Sequence, residues 1–251
     1  MENPLNQTSA LLIIGNEILS GRTLDQNTQY IAGKMAAHGV PLREVRVVPD
    51  IEGEIVAAVN ALRGKYDFVF TTGGIGPTHD DITAESIARA FDTDFGQNQG
   101  AYNVLLDYYG AENLTEARLR MARMPVFEDL SLILNPVSGA PGFRIANVFV
   151  MAGVPKIMQA MLDHVLTMIT PGDAIYARTC YCPVPESELA KDLTALQAAH
   201  PDIDIGSYPS FKDGGWRVSV VFRGTDEATL EAVLAALVNR MAAKNIGVEV
   251  L

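Results

Sequence analysis

The sequence predicts an α/β protein: a three-layer α/β/α sandwich with a mostly parallel sheet, followed by a small α+β module. Two features indicate this. Up to residue 169, apolar runs of strand length alternate with longer stretches of helical apolar spacing. Thr170-Pro-Gly-Asp173 then has the composition of a linker, and a different order of elements follows. We therefore expect a domain over residues 1–169, a linker over 170–173 and a module over 174–251.

The first domain is predicted to alternate strands and helices with right-handed crossovers. Asp25 and Gly39 suit the two ends of its first long helix, and Asp50 suits the start of the next. Residues 97–124 have the apolar spacing of two successive helices. The predicted strands are residues 9–15, 42–48, 67–72, 131–134, 143–146 and 148–153, and the remaining helices are 51–62, 84–91 and 156–169.

The module is predicted to contain strand 174–183, helix 186–199, strands 203–208 and 216–223, and helix 226–243. Cys180 and Cys182 would lie on one face of its first strand, which is poor geometry for a disulfide. One Cys-x-Cys pair is also too little for a zinc site. We favour two small, buried, hydrophobic side chains.

Composition and charge exclude several classes of partner. The 251 residues are 48% hydrophobic and 20% charged, with a net charge of −11 at pH 7. A phosphate backbone requires a basic surface, so no nucleic-acid partner is expected. The first residues do not have the pattern of a secretory signal, and no apolar run reaches membrane-spanning length. We expect a cytoplasmic protein without membrane association.

The central functional stretch runs from Thr71 to Thr83. A buried strand leads into three glycines within four residues, Gly73, Gly74 and Gly76, which let a ligand approach the backbone closely. A helix then begins, with Thr83 as its expected N-cap. This order of strand, glycine loop and helix N-terminus favours a bound anion such as phosphate. The stretch has neither the lysine of a Walker A loop nor the Gly-x-Gly-x-x-Gly spacing of a dinucleotide fold.

Two adjacent carboxylates, Asp80 and Asp81, follow the glycines. They would repel a bare phosphate, so we expect a divalent cation between them, Mg²⁺ or Mn²⁺ with oxygen ligands. His79 is placed to contact a phosphate or to relay a proton, although an exposed turn histidine is the commoner outcome. The alternative is a glycine turn with two helix-capping acids and no ligand.

A second group of polar residues follows the first strand, at the edge where open α/β sheets bind ligands. Glu17 has no evident structural need at that position. Asp25 can be either a helix cap or a ligand, and Asn27 lies beside it.

A second Gly/Pro loop, residues 135–142, lies between apolar strands. Asn135 and Ser138 supply neutral hydrogen-bonding groups suited to a heterocycle or a ribose. The densest basic cluster of the domain is either a solvated face or a group that reaches a phosphate, and it consists of Arg118, Arg120 and Arg123.

The segment Gly73-Gly-Ile-Gly-Pro-Thr-His-Asp-Asp-Ile-Thr83 resembles the signature of the MoCF-biosynthesis, or molybdopterin-binding, domain family. It is most similar to the CinA amino-terminal region and to the corresponding domain of eukaryotic FAD synthases. The pattern Ile-Gly-Asn-Glu-Ile-Leu-x-Gly-Arg-Thr-x-Asp-x-Asn, over residues 14–27, resembles the amino-terminal motif of that family, in which acids such as Glu17 and Asp25 face the active cleft. The second loop is also similar, although Ser138 stands where many relatives have glycine. The module resembles the KH-like domain of CinA proteins, but it has no Gly-x-x-Gly loop.

The resemblance implies a fold like that of MogA and MoaB and a homo-oligomer, either a dimer or a trimer. It implies a small anionic ligand, a dinucleotide or a pterin such as molybdopterin, and a divalent cation (Mg²⁺, Mn²⁺ or Co²⁺), with K⁺ as a further candidate. The catalytic and metal-binding residues would be Asp80, Asp81 and Glu17. The ligand-binding residues would be Thr72, Gly73, Gly74, Gly76, Pro77, Thr78, Thr83, Asn135, Ser138, Gly139, Pro141 and Gly142.

Three functions remain open at this point. The first is metal-dependent hydrolysis of a dinucleotide pyrophosphate such as FAD or ADP-ribose, in which the glycine amides stabilise the developing charge. The second is binding of molybdopterin or a nucleotide without turnover. The third is adenylyl transfer to molybdopterin, for which nothing in the sequence identifies a second substrate.

Overall fold

The computed structural model describes residues 7–212 and 215–251, except for the side chain of Lys212. The chain divides after Asp173 into two compact units. The elements of the first unit are β1 (Ser9–Ile14), α1 (Asn16–Leu19), α2 (Asn27–Ala37), β2 (Leu42–Val48), α3 (Glu52–Arg63), β3 (Phe68–Thr72), α4 (Thr83–Ala90), β4 (Phe95–Gln97), α5 (Gln99–Tyr109), α6 (Glu116–Arg120), β5 (Arg123–Pro125), β6 (Ser131–Ile133), β7 (Gly142–Ile145), β8 (Val148–Met151) and α7 (Pro155–Thr167).

A six-stranded sheet of order β2-β1-β3-β8-β7-β6 forms the middle layer of this unit. The four strands from β2 to β8 are mutually parallel, while β7 and β6 are antiparallel to their neighbours. All six residues of β1 are buried, because helices cover both faces of the sheet. Leu12 packs in one hydrophobic core with residues of α3 and α4, and Leu11 packs in the other with residues of α2 and α7. The predicted three-layer, mostly parallel fold is confirmed.

The region predicted as two helices, residues 97–124, is only partly helical. Gln97 belongs to β4, and Asn98 caps α5 by accepting a hydrogen bond from the Ala101 N–H. The second helix, α6, ends at Arg120, and β5 then pairs antiparallel with β4. Pairing with a distant strand therefore overrides helical spacing at both ends of this region.

Two predicted helix caps are wrong, and one is confirmed. Asp50 does not cap α3, because its Oδ2 accepts from the N–H of Asn16 at 2.8 Å, next to the end of the neighbouring strand β1. Thr83 is the first residue of α4, not its N-cap, and its N–H donates to the Gly74 carbonyl at 3.0 Å. Asp25 precedes the N-cap residue of α2, Gln26, but it fulfils the predicted capping role, because its Oδ1 accepts from the N–H groups of Asn27 and Thr28.

The second unit contains β9 (Tyr176–Cys182), α8 (Glu186–Ala199), β10 (Asp204–Lys212), β11 (Gly215–Gly224), α9 (Glu227–Ala242) and β12 (Glu249–Val250). Its antiparallel sheet has the order β10-β11-β9-β12. Cys180 and Cys182 are free and buried in a core shared with α8 and α9, in agreement with the prediction. Among the described residues, no helix combines the length and the apolar character needed to cross a membrane.

The residues between the two predicted domains are tied to the first unit. The Gly172 N–H donates to the His38 carbonyl at 3.0 Å. Gly172 also packs directly on Gly39, since a Cβ atom on Gly172 would lie 2.5 Å from the Gly39 oxygen. Gly172, within the predicted linker, is therefore attached to the first unit, and the second unit begins at Ala174.

We expect a fragment of residues 1–173 to unfold cooperatively by itself, because its two hydrophobic cores are complete within it. A fragment of residues 1–171 should be less stable by about 1 kcal/mol, the usual contribution of one hydrogen bond, because it lacks Gly172. Urea denaturation followed by circular dichroism measures both. A longer fragment without a cooperative transition would show that the unit depends on the rest of the chain.

Glu44, on the edge strand β2, accepts hydrogen bonds from the Tyr66 hydroxyl at 2.7 Å, from Lys65 at 2.9 Å and from Arg46 at 2.5 Å. These three donors, Tyr66 first, lower the pKa of Glu44 from 4.5 to about 2. A lowered pKa stabilises the folded state above pH 4.5, and this stabilisation is lost as the pH falls towards 2.

We expect Glu44→Gln to lower the thermal midpoint at pH 7 and to have progressively less effect between pH 4.5 and pH 2. Tyr66→Phe removes the strongest donor, so it should move the acid-induced loss of stability to higher pH. Scanning calorimetry from pH 2 to pH 7 tests both variants. A Glu44→Gln difference that is independent of pH would contradict the assignment.

Candidate functional site

The glycine loop between β3 and α4 has a backbone that other residues would not allow. Gly73 and Gly74 have positive φ angles of 103° and 66°. A Cβ atom on Gly73 would lie 2.1 Å from the Ile14 carbonyl oxygen of β1, and one on Gly74 would lie 2.2 Å from Thr83 Oγ1. The loop is therefore packed against the end of β1 on one side and the start of α4 on the other.

Asp81 folds back into this loop. Its Oδ2 accepts hydrogen bonds from the N–H and the hydroxyl of Thr78, and a Cβ atom on Gly76 would lie 2.7 Å from that oxygen. The second oxygen, Oδ1, accepts no hydrogen bond from the residues that the structure describes. One carboxylate oxygen thus orders the loop while the other remains available.

Asp80 projects outward, with 68% of its side chain exposed, and lies 4.0 Å from the exposed imidazole of His79. The pKa of Asp80 is lowered, first by the Thr78 hydroxyl and then by its own backbone N–H. In this structure the Thr78 hydroxyl donates its single hydrogen bond to Asp81 Oδ2. Pro77 is exposed at the tip of the same loop.

A cavity of about 140 Å³, which we call the arginine cavity, opens beside the loop. Gly76, His79 and Asp81 line one side of it, and Arg120 and Arg123 line another. Glu85 adds a further acidic residue to the lining. The remaining lining residues are apolar: Ile75, Ile82, Ala84, Phe95, Met121, Met124, Pro141 and Phe143. Two of the three predicted arginines therefore reach the cavity.

Arg118 is engaged elsewhere. Its guanidinium lies 4.1 Å from the centre of the Tyr109 ring and donates to the Asn113 carbonyl. Of the two roles predicted for the arginine cluster, Arg118 therefore has the structural one on the surface and does not reach the cavity.

A second cavity of about 50 Å³, which we call the asparagine cavity, lies at the end of β1. The polar side chains in its wall belong to Glu17, Thr23, Asp25, Gln26, Asn27 and Thr72, and Gly73 adds backbone. Glu17 and the Asp81 carboxylate therefore line different cavities. Within residues 7–212 and 215–251, no three Asp, Glu, His or Cys side chains lie together as ligands for one metal ion.

Buried polar atoms without partners gather around the glycine loop. Among the described residues, no hydrogen-bond partner exists for the Oγ1 atoms of Thr28, Thr71, Thr72 and Thr83 or for Oδ1 of Asn27. Each unpaired buried group costs about 1–3 kcal/mol, and native proteins contain few of them. Sequence reasoning missed Thr28 and Thr71, although the polar run at the end of an apolar strand was a signal for the latter.

The second loop, residues 135–142, is mostly held by its own hydrogen bonds. The Asn135 amide donates to Ser138 Oγ and the Ala140 carbonyl, and its Oδ1 accepts from the N–H groups of Val137 and Ser138. Asn135 is thus fully engaged in shaping the loop.

The remaining predicted residues of this loop have different surroundings. Gly139, at a φ of 73°, packs on the Tyr108 ring, and Gly142 lies against the Val150 carbonyl oxygen. Pro141 lines the arginine cavity. The structure therefore brings one end of the second loop to the site next to the glycine loop.

Residues 10–171 match the family model described as "Probable molybdopterin binding domain". The chain belongs to this family. Residues 174–249 of this molybdopterin-binding-domain protein match a second model, described as "FAD synthase, middle domain". The predicted relationship to the FAD synthase branch is therefore confirmed.

Relatives of this family member occur in animals and archaea. A "Probable FAD synthase" of Caenorhabditis elegans is 32% identical, and the match covers 93% of this chain and 50% of that protein. A protein of Archaeoglobus fulgidus is 34% identical, with 86% of this chain and 90% of the relative covered. This chain thus spans half the length of the nematode relative.

Among solved structures, CinA of Thermoplasma acidophilum is similar to this molybdopterin-binding-domain protein with a TM-score of 0.60. It is 34% identical, and the match covers 65% of this chain and 98% of that chain.

We expect Gly74→Ala to destabilise the protein by about 2 kcal/mol or more. The left-handed backbone alone costs roughly 1–2 kcal/mol for alanine, and the new methyl group meets Thr83 Oγ1. The double variant Gly74→Ala/Thr83→Ala should recover the part due to that clash. Gly53→Ala, in an open position on α3, is the matched control and should be neutral or stabilising. Denaturant unfolding of the four proteins tests this, and equal losses at positions 74 and 53 would contradict it.

Proposed function

We propose that this protein binds a dinucleotide pyrophosphate, FAD or ADP-ribose, at the glycine loop and hydrolyses it with the help of a divalent cation. The observation that carries the proposal is the position of Asp81, which is held inside the glycine loop on a cavity that Arg120 and Arg123 also line. One cavity is thus lined both by an acidic side chain that can bind a cation and by basic side chains that can bind the phosphate anion.

The loop supplies backbone donors for a phosphate. The N–H groups of Gly74, Ile75 and Gly76 have no acceptor among the described residues, and they precede the N-terminus of α4. Consecutive free N–H groups next to a helix N-terminus attract an anion. They would also stabilise the extra negative charge that forms on a phosphoryl group during hydrolysis.

The residues of the loop fit a cation that arrives with the substrate. Mg²⁺ is commonly held by one or two carboxylates together with substrate phosphates and water, and Asp80 and Asp81 provide that number. The predicted third carboxylate, Glu17, lies in the other cavity, so we assign no metal contact to it. When bound, the cation polarises a phosphoryl oxygen and lowers the pKa of a bound water.

The protein groups around the arginine cavity would bind and orient the rest of the substrate. Arg120 and Arg123 would neutralise the charge of the pyrophosphate. The planar guanidinium group of arginine is suited to this, because it can donate two parallel hydrogen bonds to phosphate oxygens. Phe95, Met121 and Met124 offer apolar contacts to an aromatic ring system. The names of the nematode relatives support a flavin dinucleotide as the substrate class.

Binding of a pterin without turnover is the second candidate, and the description of the matched family favours it. Incubating the full chain with FAD, ADP-ribose or NAD and Mg²⁺ or Mn²⁺ separates the two. Release of a mononucleotide supports hydrolysis, whereas binding without products supports the second candidate.

We expect Asp81→Asn to reduce the rate of pyrophosphate cleavage by about a hundredfold or more, because stabilisation by a metal ion is worth several kcal/mol. Asparagine retains one side-chain oxygen as an acceptor for the Thr78 N–H, so the fold should persist. Asp80→Asn should have a smaller effect, since its carboxylate projects away from the loop into solvent.

The matched control is Asp163→Asn, which removes the same charge from an exposed position on α7. Product release measured by chromatography at several Mg²⁺ concentrations tests these variants. Full activity of Asp81→Asn would show that Asp81 only shapes the loop.

A further inference from the structure

The asparagine cavity contains two buried polar atoms that nothing in the described part of the chain satisfies. They are Oδ1 of Asn27 and Oγ1 of Thr72, on residues that are 7% and 1% exposed. The Asn27 Nδ2 group donates to the Gly153 carbonyl at 2.8 Å, which fixes the amide and leaves its oxygen unpaired. A folded chain keeps such unpaired groups at a cost, and a ligand with matching groups would remove that cost.

The other polar side chains that line this cavity are two carboxylates, Glu17 and Asp25, and two neutral groups, the Thr23 hydroxyl and the Gln26 amide, which can donate as well as accept. Glu17 contributes a carboxylate that lies against Gly15. Asp25 contributes its Oδ2, since its Oδ1 already accepts from Asn27 and Thr28. Neither lysine nor arginine lines the cavity. Such a wall repels phosphate and suits a neutral ligand with several hydroxyl groups, which donate to the carboxylates and to the unpaired oxygens and can also accept.

The volume of the cavity and the apolar part of its wall favour a sugar as the neutral ligand. A volume of about 50 Å³ accommodates roughly three to four water-sized positions, which matches the hydroxyl edge of a pentose and is too small for a purine. Ile13, Ile18 and Pro155 line the other side and can contact the carbon face of such a ring. A bare metal ion would find fewer than three acidic, His or Cys ligands together there.

The cavity continues directly into the phosphate-binding part of the loop. Gly73 lines the cavity and is the neighbour in sequence of the free N–H groups of Gly74, Ile75 and Gly76. Adjacent Cα atoms are 3.8 Å apart, which is close to the span between a sugar ring and its 5-phosphate.

We propose that the asparagine cavity is a pentose subsite, in which the acceptors of Asn27, Thr72 and Glu17 bind the ring hydroxyls of a ribose whose 5-phosphate lies on the glycine loop. This inference rests on the proposed function in one respect, the phosphate on the loop. It adds that the protein should distinguish ribose from deoxyribose, because a site built to bind hydroxyl groups rejects a sugar that lacks one of them.

Calorimetric titration of the full chain in the presence of Mg²⁺ tests the subsite with three probes: ribose 5-phosphate, 2-deoxyribose 5-phosphate and inorganic phosphate. We expect ribose 5-phosphate to bind at least about tenfold more tightly than either of the other two, which corresponds to one well-made hydrogen bond to a charged or buried group.

Variants assign this preference to the cavity. Thr72→Val keeps the shape of the side chain but removes the unpaired hydroxyl, so the two pentose phosphates should bind with equal affinity and the thermal midpoint should not fall. Glu17→Gln should weaken the preference as well. The matched control is Thr71→Val, which removes a buried, unpaired hydroxyl from the same strand outside the lining of the cavity. It should keep the full preference.

The outcomes separate this inference from the proposed function. Failure of inorganic phosphate to bind would overturn the phosphate loop and with it the proposed function. Phosphate binding without any preference for the ribose form would overturn the pentose subsite alone. Binding of K⁺ or Na⁺ that disappears in Thr72→Val, together with equal affinity for the two pentose phosphates, would also overturn it. The acceptors of the cavity would then be ligands of a cation.

Discussion

The approach of Gly73 to the end of β1 is the constraint on which the rest of the site depends. The backbone of this residue lies so close to the Ile14 carbonyl that no side chain fits between them. The chain must therefore turn immediately after β3, and the turn leads into the hydrogen bond between Thr83 and Gly74 that starts α4. The loop therefore lies between two cavities that differ in charge: acidic and basic side chains both line the arginine cavity, whereas the charged residues that line the asparagine cavity are acidic.

The fold could largely be predicted because burial follows periodicity. The fully buried run of β1 and the alternating cores on its two faces are visible in the chain itself. Local rules failed where a distant partner competed. Asp50 has the composition of a cap but binds Asn16, and Arg123 follows a helical segment but pairs with β4. The short strand β12 consists of two residues and carries no periodic signal.

The sequence predicted which residues form the candidate site better than it predicted how their side chains are arranged. The glycines and acids identified a loop that the structure does form, but Glu17 and Asp81, predicted as ligands of one metal ion, line different cavities. Asn135 illustrates the opposite limit. Its amide is suited to a ligand, yet four hydrogen bonds within its own loop occupy it. Conversely, the unpaired atoms of Asn27 and Thr72 become visible only when all neighbouring donors are known.

The charged cluster around Glu44 has a consequence for solubility. Strand β2 forms one open edge of the six-stranded sheet, and such an edge exposes unpaired backbone groups that can template another strand. Arg43, Glu44 and Arg46 place charges of both signs along this edge, and the opposite edge strand, β6, has three residues. A second polypeptide that paired with β2 would have to strip water from these charges. These charges therefore oppose the pairing of β2 with a strand of another molecule.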